Sequence, residues 1–333
     1  MSFKDYIKEH LPWIRSIYRK RLAPINLIHN IFDKPVVVLL YHRVNYLNRD
    51  LFNINVTPDN FERHIQVLKN HYNVITFNDL KRNDIKEPSV IITFDDGYYD
   101  NYKYAFPILK KYQAPATIFI TSGGVDTGKE FWWDRLETVL FENKNLRELI
   151  ELDILNQRHV FDVSNDKKRL HSFYTLHHML FSLHPNERDM ILDRWYESYG
   201  LKVNLNNRTM TSSELIDLYE SNLITLGAHT IHHPALKQIS REEQIHEIQS
   251  SKLFLENLLH MDIDIFAYPF GHKESFDQVT EQIVQELGFT YSVSTKRAQL
   301  HSNTNPFSIP RFGIEDWSED EFIRQMKLVW FEN

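Results

Sequence analysis

The chain has 333 residues, a formal net charge of -7 and no cysteine. An acidic balance without a long basic block excludes nucleic acid as an expected partner, and the missing thiols exclude disulfides, thiolate metal ligands and a cysteine nucleophile. Hydrophobic residues at 42% and charged residues at 25% place it among soluble globular proteins with a sizeable core rather than disordered or fibrous chains.

Residues 1–34 read as an amphipathic helical extension. Phe3, Tyr6, Ile7, Leu11, Ile14, Ile17 and Tyr18 recur at helical spacing, with Arg15, Arg19, Lys20 and Arg21 at the basic end. Docking on the main domain is favoured because Asp5, Glu9 and Pro12 dilute the basic face; peripheral contact with the inner face of a membrane is the second reading. Charges interrupt every apolar run of the opening segment, and no run reaches the roughly 18 apolar residues of a membrane span, so a cytoplasmic location is expected.

Residues 35–129 alternate strand and helix. VVVLLYHRV after Pro35 is a β-branched apolar run ending in Tyr41, His42 and Arg43, the pattern of a buried strand delivering polar groups at its end. Thr57, Pro58 and Asp59 start a helix with Phe61, Ile65 and Leu68 on its apolar face. Val90 to Phe94 form a second buried strand, NYKYAFPILKKY a helix and ATIFITSG a third strand, which together argue for an α/β unit with parallel strands.

The alternation stops over 130–210, where Trp132, Trp133, Phe173, Leu176, Leu180, Phe181, Ile191 and Trp195 mark a mainly helical insertion without a central strand. It resumes over 211–333. A helix starts at Thr211 or Ser212, with Glu214 or Asp217 downstream, and LITLGAHTIHHP, a helix from Ser240 to His260, IDIFAYPFG, TEQIVQELGF and YSVST follow. No repeat of solenoid type interrupts this order, so the insertion is expected to pack on one continuous core.

Two segments carry chemistry. TFDDG places Asp95 and Asp96 just beyond a buried strand, where side chains reach substrate, and Gly97 permits a tight turn. A cation beside such a pair would stabilise one anion and leave the other free to take a proton. GAHTIHHP places His229 and His233 at an i,i+4 separation, compatible with two imidazoles on one face of a helical turn, with His232 as a local competitor. Asp96, His229 and His233 would then form a three-ligand set with positions open for water and a carbonyl.

In these residues the sequence resembles the polysaccharide deacetylase superfamily, with its NodB-homology domain and carbohydrate esterase family four. TFDDG matches the first motif, and His229, Thr230, His233 and Pro234 reproduce the second; the likeness covers roughly 35–128 and 223–312. It implies a distorted (β/α) barrel that removes N-acyl groups, chiefly acetyl, from a sugar or glycan intermediate. It implies a divalent metal, with zinc foremost and cobalt, nickel or manganese compatible, held by Asp96, His229 and His233. Asp95 is then the general base and Thr230 a group supporting a ligand or substrate. FAYPFG resembles the third motif, with Tyr268 and Phe270 as substrate-side aromatics and a backbone donor for the oxyanion near Tyr268.

Ala267 stands where a widespread form of that motif has arginine, and the late Leu-x-His motif is missing. Relatives whose barrel elements are circularly permuted suggest replacements, namely Arg311 in SIPRFG to orient the base and His42 in LLYHRV as the general acid. Ser292 to Thr295, Asp316 and Trp317 are candidate pocket neighbours, and Trp132 and Trp133 candidate sugar covers. Competing readings are a deformylase or other deacylase of a lipid-linked or nucleotide-linked amino sugar, a noncatalytic glycan-binding protein, and a partner-binding role for the insertion; oligomeric state is not legible.

Overall fold

The computed structural model describes residues 33–81, 85, 87–154 and 157–330. The expected amphipathic helix of 1–34, and with it the membrane contact, lies outside the described residues but for its last two positions. Among the described residues no helix is long and apolar enough to cross a membrane.

In chain order the strands are β1 (Val36–Tyr41), β2 (Arg43–Val44), β3 (Asn55–Val56), β4 (Asn73–Val74), β5 (Ser89–Phe94), β6 (Ala116–Ile120), β7 (Leu149–Ile154), β8 (Gln157–Asp162), β9 (Ile224–Ala228), β10 (Ile265–Ala267), β11 (Tyr291–Val293) and β12 (Phe312–Gly313). Eight form one parallel sheet in the order β11-β10-β9-β6-β5-β1-β12, with β4 beside the first half of β5. All six residues of both β1 and β5 are buried. Both faces of these strands are covered, which is why they read as continuous apolar runs rather than alternating ones.

The helices that cover the sheet are α1 (Pro58–His71), α2 (Phe77–Lys81), α3 (Phe106–Tyr112), α7 (Ser212–Glu220), α8 (Arg241–Leu259), α9 (Gln278–Glu286) and α10 (Glu319–Val329), while α4 (Trp132–Glu137), α5 (Asp166–Phe181) and α6 (Pro185–Tyr199) belong to the insertion. Thr211 with Glu214, and Ser240 with Glu243, close reciprocal caps that start α7 and α8. These bonds satisfy amide groups that the first helical turn leaves without partners.

Curvature brings the two ends of the sheet together. Ile309 bridges Val293 of β11 in parallel, and three residues later Phe312 of β12 pairs with Leu39 of β1. One short segment thus spans both edges and carries Arg311 between them, giving a distorted (β/α) barrel. Its interior holds Val38, Ile91, Phe119, Ile265, Val293 and Ile309, whereas the larger cluster lies outside, beneath the helices.

The insertion differs from expectation in containing an antiparallel hairpin, β7 with β8. Ile150, Leu152 and Ile154 are buried while their neighbours Leu149, Glu151 and Asp153 are exposed. This strand covers one face only, so its signal is an alternation and not an apolar run. The hairpin packs with α4, α5 and α6 around Trp132, Trp133, Phe173, Leu176 and Trp195, a cluster that also takes in Tyr98 from the barrel.

A buried cation ties the insertion to the barrel. Arg43 donates to Asp100 at 2.9 Å, Asp134 of α4 at 3.4 Å and Asn207 at 2.8 Å, and its guanidinium lies 4.3 Å from the Tyr98 ring centroid. Tyr98 in turn donates to Asp134 and accepts from Trp133 Nε1 at 2.7 Å. These bonds fix Trp133 at the barrel rim.

Inside the barrel, Gly227 of β9 faces the Phe119 ring so closely that a Cβ would sit 2.6 Å from it and 3.0 Å from the Ile265 carbonyl. Gly227→Ala is expected to destabilise the fold by about 1–3 kcal/mol, read as a lowered midpoint in thermal denaturation; an unchanged midpoint would refute this packing.

Candidate metal and catalytic site

The acidic pair leaves β5 through a turn rather than a continued strand. Asp95 still donates its amide to Tyr41 at 3.1 Å, but Asp96 and Gly97 adopt φ of 74° and 80°. A left-handed residue other than glycine costs on the order of 1 kcal/mol, and Asp is among the types that bear it best. The turn is held by Gly97 N–H donating to Asp95 O at 3.0 Å and Thr121 N–H to Asp96 O at 3.2 Å. The two carboxylates consequently meet different partners, although both are buried.

His229 and His233 are brought together by a loop after β9, not by the expected helical turn. Thr230 and His233 both have positive φ, 64° and 55°, and no helix is assigned over 229–233. Thr230 is wholly buried; its hydroxyl accepts from His233 N–H at 3.1 Å and its carbonyl from Ser122 N–H at 3.0 Å. It shapes the turn that presents His233. Glu247 of α8 accepts from the amides of Ile231 and His232, both at 2.9 Å, and pairs with His232 Nδ1 at 2.8 Å. His232 is thereby turned away from the other two imidazoles.

His229 Nδ1 lies 2.7 Å from the Ala267 carbonyl. A carbonyl only accepts, so Nδ1 carries the proton and Nε2 presents its lone pair. That Nε2 is 3.5 Å from Asp96 Oδ1, and His233 Nε2 is 3.4 Å from the same oxygen. The three donor atoms lie within 4.8 Å of one another, and Asp96 Oδ1 is buried without a hydrogen-bond partner. Bonds of about 2.1 Å at tetrahedral angles would set such atoms about 3.4 Å apart, so this donor set fits a divalent ion.

Electrostatics agree with that fit. Burial alone would raise the Asp96 carboxyl, yet the imidazoles of His229, His233 and His42 around it bring it down to about 2. For His233 burial dominates and lowers it to about 3, a neutral imidazole with a lone pair to give. Burial also opposes charge on His229, but the neighbouring Asp95 and Asp96 carboxylates outweigh it and push it up. Positive charge is thus favoured at the point where the three donors converge.

Asp95 has its own cation. Arg311 donates Nη1 and Nη2 to the two Asp95 oxygens, each at 2.7 Å, with further bonds from Nη1 to Thr93 Oγ1 at 3.2 Å and from Nε to the Ser294 carbonyl at 3.0 Å. Burial raises the Asp95 carboxyl, but the Arg311 charge, with His229 and His42 behind it, lowers it below the usual carboxylate range. Arg311 therefore keeps a buried carboxylate ionised and aimed.

His42, just past β1, lines a cavity of about 240 Å³ with Asp95, Asp96, His229 and His233. Its carbonyl is anchored by Asn101 Nδ2 at 2.8 Å. Phe270 forms a wall of this cavity with its ring centroid 4.5 Å from that of His233. Tyr268, by contrast, is wholly buried, stacked on Phe276 at 3.9 Å, with its hydroxyl donating to the Phe307 carbonyl. The expected sugar stacking by Tyr268 is therefore corrected to a core role. Its amide is likewise engaged, by Val293 O at 3.2 Å, so it is not free for an oxyanion.

Thr295 lines the cavity, whereas Ser292 bonds Tyr268 in the core and Asp316 caps the start of α1 through Thr57 and Asn60. Trp317 lends its carbonyl to His64 at 2.7 Å. Trp133 reaches the cavity and Trp132 stands behind it against His177. Phe52, Ile54, His177 and His272 also line it and carried no sequence signal, since each is a single residue in a loop or on a helix of otherwise ordinary composition.

Residues 82–149 and 190–292 match the family described as polysaccharide deacetylase. The poly-beta-1,6-N-acetyl-D-glucosamine N-deacetylase of Staphylococcus aureus strain MSSA476 is 24% identical over 310 residues, spanning 88% of this chain and 83% of that protein. Among solved structures, Streptococcus pyogenes deacetylase PplD, in complex with acetate, is similar with a TM-score of 0.58 at 20% identity, over 88% of this chain and 99% of that one. IcaB from Ammonifex degensii is similar with a TM-score of 0.58 at 17% identity, over 89% and 97%. At these identities the structural likeness concerns the fold.

Replacing Arg311 by Lys removes the paired bonds to Asp95, so burial regains weight and the Asp95 carboxyl rises. Any reaction that needs ionised Asp95 should then lose its acid limb at a higher pH than in the wild type, with the alkaline limb unmoved. The pH dependence of kcat/KM checks this, and superimposable acid limbs would contradict it.

Proposed function

Because the chain belongs to the polysaccharide deacetylase family, we propose that it hydrolyses the N-acetyl group of a hexosamine in a glycan, by metal-assisted attack of water on the amide. The observation that carries this reading is the separation of roles within one cavity. Asp95 is paired with Arg311, while Asp96 turns to His229 and His233.

A divalent ion on Asp96, His229 and His233 would supply Lewis-acid polarisation of the acyl carbonyl and a lowered water pKa, with zinc the foremost candidate and cobalt, nickel or manganese compatible. Asp95 accepts a proton from the attacking water as its oxygen bonds to the carbonyl carbon. The guanidinium of Arg311 keeps Asp95 anionic beforehand and holds both of its oxygens in place. His42 gives a proton to the amide nitrogen, the C–N bond breaks, and acetate and a free amine leave. Phe270 and Trp133 wall the cavity with apolar surface and limit stray water around the reacting carbonyl.

The relative from S. aureus is named for poly-beta-1,6-N-acetyl-D-glucosamine, so β-1,6-linked N-acetylglucosamine oligomers are the first substrates to offer. Purified protein supplied with zinc should release acetate and leave an amine-bearing oligomer, measured by acetate assay and product mass. N-formyl counterparts test the acyl group, and binding without acid release would favour a noncatalytic glycan-binding role. Asp95→Asn should keep its metal yet lose about 100-fold or more in kcat; near-normal turnover by metal-loaded Asp95→Asn would show that another group is the base.

A further inference from the structure

Among the polar side chains of the cavity that the proposed chemistry leaves unused, one comes from the insertion. His177 projects from α5 of the insertion into the same cavity as Asp95, Asp96, His229 and His233. Its ring lies between Trp132, stacked at 4.7 Å, and Phe52, tilted at 5.0 Å. Neither ring nitrogen makes a hydrogen bond to any described residue. A half-buried imidazole held between two aromatic rings at the cavity wall, with no partner among the described residues for its nitrogens, presents a donor and an acceptor to a ligand in the cavity.

Its placement is rigid. Arg188 of α6 sits with its guanidinium 4.6 Å from the Trp132 centroid and donates to the His232 carbonyl at 3.3 Å, which fixes the Trp132 and His177 wall relative to the loop of the metal-ligand candidates. Burial, then the nearby Arg188 charge, lowers His177 to about 4, so it is a neutral imidazole with one N–H and one lone pair at neutral pH. The surrounding wall is apolar, made of Trp133, Phe52, Ile54 and Phe270. Such a wall suits the C–H face of a pyranose, and His177 is the single polar group that the insertion adds to it. Residue 177 also falls in the interval 150–189 that the family match leaves out, so it stands outside the matched core.

We propose that His177 is a specificity-determining residue that hydrogen-bonds a ring hydroxyl of the sugar whose amide is cleaved, so that the insertion selects the hexosamine. The proposal rests on the hydrolase reading for the identity of the sugar. A site that provides a hydrogen bond to a substrate hydroxyl discriminates against analogues lacking it, because its own polar group is then left buried and unpaired.

The test pairs protein and ligand changes. Wild type, His177→Phe and His177→Gln are compared on a β-1,6-linked N-acetylglucosamine tetramer and on its 3-deoxy and 4-deoxy forms, with both kcat/KM and the dissociation constant recorded. His177→Phe keeps the aromatic stack, and thermal midpoint and zinc content confirm an intact fold. His177→Gln retains a donor and acceptor and should recover part of the loss.

For the wild type, one deoxy position should cost about tenfold in kcat/KM; His177→Phe should lose about tenfold on the full tetramer and nothing further on that deoxy form. Equal penalties for each deoxy tetramer in all three proteins would overturn the proposal, as would a full-tetramer kcat/KM and dissociation constant that His177→Phe leaves unchanged. If wild type binds the tetramer but releases no acetate, the hydrolase reading fails while the same comparison of dissociation constants still decides the role of His177. If it neither binds nor cleaves, both fail.

Discussion

Two neighbouring carboxylates are buried at the top of this barrel, and each must be compensated separately or the pair would repel and take up protons. The left-handed backbone at Asp96 solves the geometric half by sending consecutive side chains to different partners. Arg311 and the two imidazoles solve the electrostatic half. Breaking a buried ion pair by removing one partner costs about 3–5 kcal/mol, so the Asp95–Arg311 contact is a structural commitment as well as a chemical one. Arg311 also sits in the segment that joins β11 to β1. Closure of the barrel and orientation of Asp95 are consequently one event.

The insertion is part of the site rather than an ornament on it. Trp133 approaches His233 with ring centroids 5.1 Å apart, and Phe181 approaches Phe270 at 4.7 Å. Behind them Arg43, Asp100, Asp134 and Tyr98 form a buried network across the boundary. Burial raises Asp134 to about 8 even with Arg43 opposing it. This boundary therefore has too little polar compensation to be rearranged cheaply, which holds the aromatic wall at a fixed distance from the acids and imidazoles of the cavity.

Much of this was legible in the sequence because the chemistry is concentrated in short segments. TFDDG after an apolar run marks a strand end with acids, and the loop carrying His229 and His233 marks two donors that the fold places beside Asp96. Arg311 could be singled out through resemblance to permuted relatives, and the fold delivers its guanidinium to Asp95. The mistakes share a cause: spacing cannot reveal backbone conformation or side-chain direction. His229 and His233 satisfy a helical spacing while sitting in a loop with two left-handed residues. Tyr268 and Phe270 are two residues apart, yet one stacks inside the core and the other faces the cavity. Phe52 and His177 come from distant elements, and only tertiary packing puts them beside the acids. The hairpin of the insertion was missed because its apolar positions alternate with charged ones.

The most direct test of the account is the anomalous diffraction of zinc-loaded crystals. It should show one peak within bonding distance of Asp96 Oδ1, His229 Nε2 and His233 Nε2, with Asp95 outside the coordination sphere and still paired to Arg311. A peak elsewhere, no peak at saturating zinc, or Asp95 bound to the ion with Arg311 displaced would contradict it.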